Sequence, residues 1–176
     1  MSFAQACPDL YERTITINGM SKGYAMSGWR IGYAAGPISV IKAMTSLQGQ
    51  STTNACTLSQ AAARAGLLGD QQCVHDMCAE FKRRHDFFFA GVQQLPGFDC
   101  VPASGTFYLF PNVEGAMRAK KAATDVVLCE QLLEATGVAL VPGTAFGAPG
   151  HLRLSFAAST ATLTAALSRM RDFLAT

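Results

Sequence analysis

The chain has 176 residues, a formal net charge of +2, 49% hydrophobic residues and 15% charged ones. That length suits one ordinary domain, or one domain with part of another, and the charged fraction falls below the about 25% of a typical soluble domain. A partner, or a missing piece of the parent fold, is therefore expected to cover part of the surface. Near-neutral charge without a Lys/Arg run argues against nucleic-acid binding, and no stretch reaches the roughly 18 apolar residues of a membrane helix.

Met1 to Asp9 lacks the basic and apolar regions of a secretory signal. The six cysteines (7, 56, 73, 78, 100 and 129) show neither a disulfide framework nor a CxxC pair. A cytoplasmic chain with reduced thiols is the expectation.

In chain order, Thr14–Ile17 alternates with β-branched residues and predicts a strand that Asn18-Gly19 breaks. A Gly/Ser-rich stretch runs to Gly28, and Trp29–Tyr33 predicts a second strand. After Gly36-Pro37, the residues Ile38, Ile41, Met44 and Leu47 repeat at helical spacing, followed by a polar loop over Gln48–Asn54. An Ala-rich helix is predicted over Thr57–Leu68. Asp70 is placed to cap the longest helix, with Val74, Met77, Phe81, His85, Phe88, Val92 and Leu95 on one stripe. Two short strands, Phe98–Val101 and Thr106–Phe110, follow. A helix over Asp125–Thr136 ends at Gly137, and strands Val138–Val141 and His151–Phe156 precede a last helix capped by Ser159 or Thr160.

The order from residue 70 onward predicts a two-layer α/β unit, helices on one face of a small sheet. Residues 1–36 form two strands and a loop that cannot bury their own faces, like a piece torn from a larger sheet. The expected organisation is a sheet fragment over 1–36, connecting helices over 37–69 and a small C-terminal α/β domain over 70–176.

The segment with chemistry in it is Ser21-Lys22-Gly23-Tyr24-Ala25-Met26-Ser27-Gly28-Trp29-Arg30-Ile31-Gly32-Tyr33. A lysine that forms imines needs an easily deprotonated amine and a guided stem. Small residues admit a close ligand, and an arginine at the next strand supplies a bidentate fork for phosphate. The same spacing is also that of a solvated lysine in a glycine-rich loop. Cys73, His75, Cys78 and His85 lie within one helix with no second ligand pair at zinc-site spacing, so no metal is expected, and no cysteine is read as catalytic.

This segment resembles the cofactor-lysine stretch of the class I/II aminotransferases, pyridoxal-phosphate enzymes of fold type I. The likeness continues in order through Gly105–Pro111, Val141–Gly147 and His151–Phe156, and is nearest to the prokaryotic aspartate/prephenate branch. The resemblance implies that Lys22 is linked to pyridoxal 5'-phosphate as an imine and then moves a proton as general base and acid. It also implies that Arg30 binds the cofactor phosphate and that Arg153 clamps the substrate α-carboxylate. Strand alternation puts His151, Arg153 and Ser155 on one face and Leu152 and Leu154 on the other. Trp29, Phe107 and Tyr108 match family positions near the cofactor, and are read here as core aromatics.

The family's chains are more than twice this long, and the resemblance covers their C-terminal part. Asp9 and Glu12 are the only carboxylates before Lys22, too close to it to match the family's pyridine-nitrogen aspartate. The expectation is an incomplete aminotransferase with little activity alone, acting between an aspartate-like or aromatic amino acid and a 2-oxo acid. Its partner would be a second copy, as in the family's homodimers, or the missing N-terminal half. No arginine occurs in 45–54 to read a distal carboxylate. The alternative is a non-catalytic remnant that acts by association.

Overall fold

The computed structural model describes residues 2–176, which form two units divided at Asp76/Met77. The first contains α1 (Phe3–Ala6), β1 (Thr16–Gly19), α2 (Met20–Gly23), β2 (Gly32–Ala35), α3 (Ile38–Ser51), α4 (Thr57–Leu68) and the start of α5 (Gln72–Val92). The second contains the rest of α5, then β3 (Tyr108–Leu109), α6 (Glu114–Ala119), α7 (Asp125–Thr136), β4 (Val141–Pro142), β5 (Leu152–Ser155) and α8 (Thr160–Ala175). No described helix is long and apolar enough to cross a membrane.

In the first unit, β1 and β2 pair antiparallel, with Thr16 opposite Ala35 and Gly19 opposite Gly32. The pairing starts two residues later than the alternation predicts and takes in Asn18-Gly19, which therefore do not end the strand. Trp29 lies in a 3-10 turn, Ser27–Trp29, and Arg30 is left-handed at φ 50°. The buried Ser59 hydroxyl donates to the Trp29 carbonyl at 2.8 Å, which ties this turn to α4 while the left-handed Arg30 takes the chain out of strand geometry. Helix α3 extends through Ser51, so Gln48–Ser51 is helical where a polar loop is expected. α4 matches its predicted span.

Among the described residues, the buried apolar side chains of this unit are Met20, Pro37 and Ala63. No residue of α3 is buried, and Ile17, Ile38, Leu47, Leu58 and Leu68 are each more than 70% exposed. The periodic apolar stripe that predicts α3 is present but only partly covered, with Ile41 half-buried and Ile38, Met44 and Leu47 exposed.

The second unit has the opposite character. Its three-stranded antiparallel sheet runs β3-β5-β4, with Leu109 opposite Leu154 and Pro142 opposite Leu152. Phe88 and Val92 of α5, Leu128 and Leu132 of α7, and Leu163, Leu167, Met170 and Leu174 of α8 join Leu109, Leu152, Leu154 and Phe156 in one core. Asp70 Oδ1 accepts the Gln72 N–H at 3.0 Å at the start of α5. Ser159 caps α8 by accepting the Thr162 N–H, and Gly137 ends α7 in the left-handed conformation.

All four strands predicted for this unit are shorter than expected: Thr106–Phe110 is reduced to Tyr108–Leu109 and His151–Phe156 to Leu152–Ser155, and the other two keep still less of their span. The Ala103 N–H donates to buried His85 Nε2 at 3.1 Å, and only an Asp99–Asn112 bridge remains near Phe98–Val101. The Val138 N–H donates to Thr136 Oγ1 at 3.1 Å, and pairing starts at Val141. Helix α6 has no counterpart in the periodicity. It follows Asn112, whose Oδ1 accepts the Glu114 N–H at 3.1 Å.

Gly97 shows how tightly this core is closed. It has φ +77°, and a Cβ there would lie 2.2 Å from the Ala116 backbone nitrogen. Gly147 has φ +73° with nothing within 4 Å of its Cβ position. Gly147→Ala should therefore cost only the about 1–2 kcal/mol of a left-handed alanine. Gly97→Ala should cost clearly more, since backbone must also move. Urea unfolding followed by circular dichroism measures both, and equal costs would show that the Gly97 approach is not tight.

Candidate functional site

Lys22 is carried by α2, the single turn that follows β1. The Met20 N–H donates to the Ile31 carbonyl at 3.2 Å, closing residues 20–31 into one loop between the two strands. Met20 is fully buried and is anchored where Gly66 of α4 leaves room for its methyl group. The Tyr24 hydroxyl donates to Gln71 Oε1 at 2.9 Å, and Gln71 Nε2 donates to the Gly66 and Gly69 carbonyls. With the Ser59–Trp29 bond, α4 and the residues after it brace the loop at its start, middle and end.

Inside that brace, Ala25 and Arg30 both have positive φ, a conformation that costs a non-glycine residue about 1–3 kcal/mol and is concentrated at ligand-holding sites. Arg30 Nη1 donates to the Ser27 carbonyl at 2.8 Å, and the Lys22 and Arg30 side chains are exposed. Residues 13–69 contain Arg13, Lys22, Arg30, Lys42 and Arg64 and no Asp or Glu. Of these, Lys22 and Arg30 lie on the braced loop, so an anion such as a phosphate ester bound there meets one lysine and one arginine. The donor set thus fits the phosphate and aldehyde ends of pyridoxal phosphate. The acid-free run is a sequence signal that motif reading passes over.

Arg153 belongs to the second unit. On β5, Leu152 and Leu154 are buried, Arg153 is half-buried and Ser155 is exposed, the alternation expected of it. Its guanidinium carbon is 4.5 Å from the Tyr108 ring centroid and 4.8 Å from that of Phe146. No ion pair among the described residues includes Arg153. A half-buried guanidinium held against two rings, in no ion pair among the described residues, has a fork that can accept a carboxylate. Tyr108 therefore bounds this arginine, where core packing alone is expected of it.

Phe146 ends the 3-10 turn Gly143–Phe146, and its ring meets Phe110 edge-on at 6.1 Å. Phe110 stacks on His151 at 5.3 Å. The turn is held by buried Asp125, which accepts from the Thr144 N–H at 2.7 Å and from the Thr144 hydroxyl at 2.6 Å. Burial raises the Asp125 carboxyl, but these bonds and the first N–H groups of α7 outweigh it and hold it below the usual carboxylate range. Asp125 and Phe146 are not singled out by their residue types. A contact across 19 residues leaves no local pattern to read.

The other titratable candidates are accounted for by packing. His85 is buried, accepts from Ala103 through Nε2, pairs with Asp86 through Nδ1 at 2.9 Å and stacks on Phe89. Cys73 and Cys78 are exposed thiols of α5. Among the described residues, no three His, Cys, Asp or Glu side chains are grouped to hold a metal.

The family model for aminotransferase class I and II matches residues 2–170. The chain is 41% identical to an aspartate/prephenate aminotransferase of Nitrosomonas europaea, over 99% of this chain and 45% of the relative. It is 44% identical to an aspartate aminotransferase of Geobacillus stearothermophilus, over 99% of this chain and 44% of the relative. The crystal structure of the aspartate aminotransferase from Rhizobium meliloti superposes with a TM-score of 0.92 at 41% identity, covering 99% of this chain and 45% of that one. The chain thus spans a little under half the length of these relatives. Its α/β architecture is that of the C-terminal portion of fold-type-I aminotransferases.

The Asp125 bonds have a measurable pH signature. A carboxyl whose folded pKa lies below its unfolded value of roughly 3.9 contributes stability that is complete above that value. The contribution is lost as the pH falls through the folded pKa. The urea midpoint of the second unit should therefore drop below about pH 4 more steeply in the wild type than in Asp125→Asn. The variant should already be less stable at pH 6. Parallel profiles would show that Asp125 has no such linkage.

Proposed function

Because this chain belongs to the class I and II aminotransferase family, which is pyridoxal-phosphate dependent, we propose that it works in amino-group transfer between an α-amino acid, aspartate-like or aromatic, and a 2-oxo acid. Lys22 is its catalytic residue, Arg30 holds the cofactor phosphate and Arg153 holds the substrate α-carboxylate. The observation that carries the reading is the braced loop 20–31, which bears both Lys22 and Arg30 in a segment free of carboxylates.

Bound pyridoxal phosphate supplies an electron-accepting ring that stabilises negative charge at the substrate Cα. Arg30 supplies a guanidinium fork to the phosphate. The Lys22 Nζ takes the proton from the Cα of the amino acid and, in the second half-reaction, delivers a proton to the Cα of the product amino acid. Arg153 fixes the substrate carboxylate in a plane, which a lysine could not do.

The proposal includes the rest of the family fold as a requirement. The relatives are about twice as long, and the first unit presents uncovered apolar faces on α3 and α4 and an unpaired edge on each strand. A second copy of the chain, or the polypeptide that corresponds to the remaining part of the relatives, is the partner these faces fit. The chain by itself is then weakly active. The six cysteines, without disulfide-framework spacing, agree with a cytoplasmic setting.

The test is an absorption spectrum of the full chain after incubation with pyridoxal phosphate and dialysis, with Lys22→Ala alongside. The expected result is a retained band, absent from the variant, that borohydride fixes covalently on Lys22. In any completed assembly that transfers amino groups, Lys22→Ala should lower the rate by at least about 10²-fold. No band beyond that of the variant would overturn the cofactor role. It would favour association as the chain's function, which the uncovered faces of the first unit already support.

A further inference from the structure

Asp125 is a buried carboxylate at a helix start that does not need it. Thr124 already caps α7, its side chain accepting the Val127 N–H at 3.2 Å. Burying a charged group is costly unless it is fully paired, and a cap requires only a neutral oxygen. The Asp125 carboxylate is instead directed at Thr144, with one oxygen on the backbone N–H and the other on the hydroxyl. Two short bonds to a charged acceptor on a single residue fix both the position and the rotation of the turn there.

That turn delivers Phe146. Its ring bounds the Arg153 guanidinium on one side and Tyr108 bounds it on the other. The Gly143 N–H donates to the His151 carbonyl at 2.7 Å, so the turn is tied to the start of β5 at one end and to α7 at the next residue. Tyr108 is seated by the β3–β5 ladder, opposite Ser155. Phe146 has no ladder to seat it; its place depends on the turn and on the Phe110 edge.

We propose that Asp125 is a positioning residue for Arg153: by holding Thr144 it sets the Phe146 ring, and so the plane in which Arg153 presents its fork to a carboxylate. The inference rests on the reading of Arg153 as the carboxylate-binding group and goes beyond it, since Asp125 touches neither substrate nor cofactor. Loss of the Thr144 bonds frees the ring, and the guanidinium then samples orientations in which it cannot meet a carboxylate through two parallel hydrogen bonds.

The experiment is nuclear magnetic resonance on the full chain, reading the Arg153 side-chain protons in the wild type, Asp125→Ala and Thr144→Val. Protons held over ring faces are displaced upfield. The Arg153 Nε–H and Cδ protons should be displaced relative to those of exposed Arg171. Each variant should lose a large part of the displacement, about half or more in Asp125→Ala, while the Leu152 and Leu154 methyl signals stay in place. Titration with 2-oxoglutarate gives the second readout, with the midpoint of the Arg153 response rising about tenfold in Asp125→Ala, as misorientation of a bidentate contact would cause.

An unchanged Arg153 displacement or an unchanged midpoint in a folded variant overturns the proposal and leaves Asp125 a structural tie between α7 and the turn. Thr144→Val, which removes only the hydroxyl bond, decides the matter if Asp125→Ala does not fold. Failure of wild-type Arg153 to respond to 2-oxoglutarate overturns the carboxylate reading, and the proposal with it. That outcome is distinguishable from the first two because it appears before any substitution.

Discussion

Strand β5 is the element on which the second unit depends. It is the central strand, hydrogen-bonded to β3 on one side and β4 on the other, and its alternation sends Leu152 and Leu154 into the core while Arg153 and Ser155 take the other face. A one-residue slip would bury the guanidinium and expose two leucines, an exchange of several kcal/mol in the wrong direction. The register that stabilises the core is thus the one that presents Arg153. Stability and the site are set by a single pairing, although they occupy opposite faces of the sheet.

The first unit is organised by polar ties rather than by a core. Ser59, Gln71 and the Met20 N–H hold the lysine loop through individual hydrogen bonds, with Met20, Pro37 and Ala63 as the unit's buried apolar side chains among the described residues. Such ties fix local geometry well, but each contributes only about 1 kcal/mol. The loop is therefore well defined in shape within a unit that has little apolar burial of its own.

Where apolar periodicity decides the structure, the sequence is legible. The helices Thr57–Leu68, Asp125–Thr136 and Thr160–Ala175 follow from spacing and caps. The stripe His85, Phe88 and Val92 of α5 is buried as its period requires. Legibility fails where side chains bond the backbone near a predicted strand: His85 to the Ala103 N–H, Thr136 to the Val138 N–H, Ser59 to the Trp29 carbonyl. Composition does not reveal such bonds, and the strands beside them are shorter or shifted. The candidate site divides in the same way. Lys22, Arg30 and Arg153 are visible because their motif is long, whereas Phe146 and Asp125 become visible only when the turn is seen against α7 and β5.

The run from 13 to 69 contains neither carboxylate nor imidazole, the two side-chain types that ordinarily change charge between about pH 3 and 7. The segment therefore has no carboxylate or imidazole of its own to gain charge in mild acid, where most protein surfaces gain it. An acid response of the lysine loop has to come from groups outside residues 13–69 or from the bound anion.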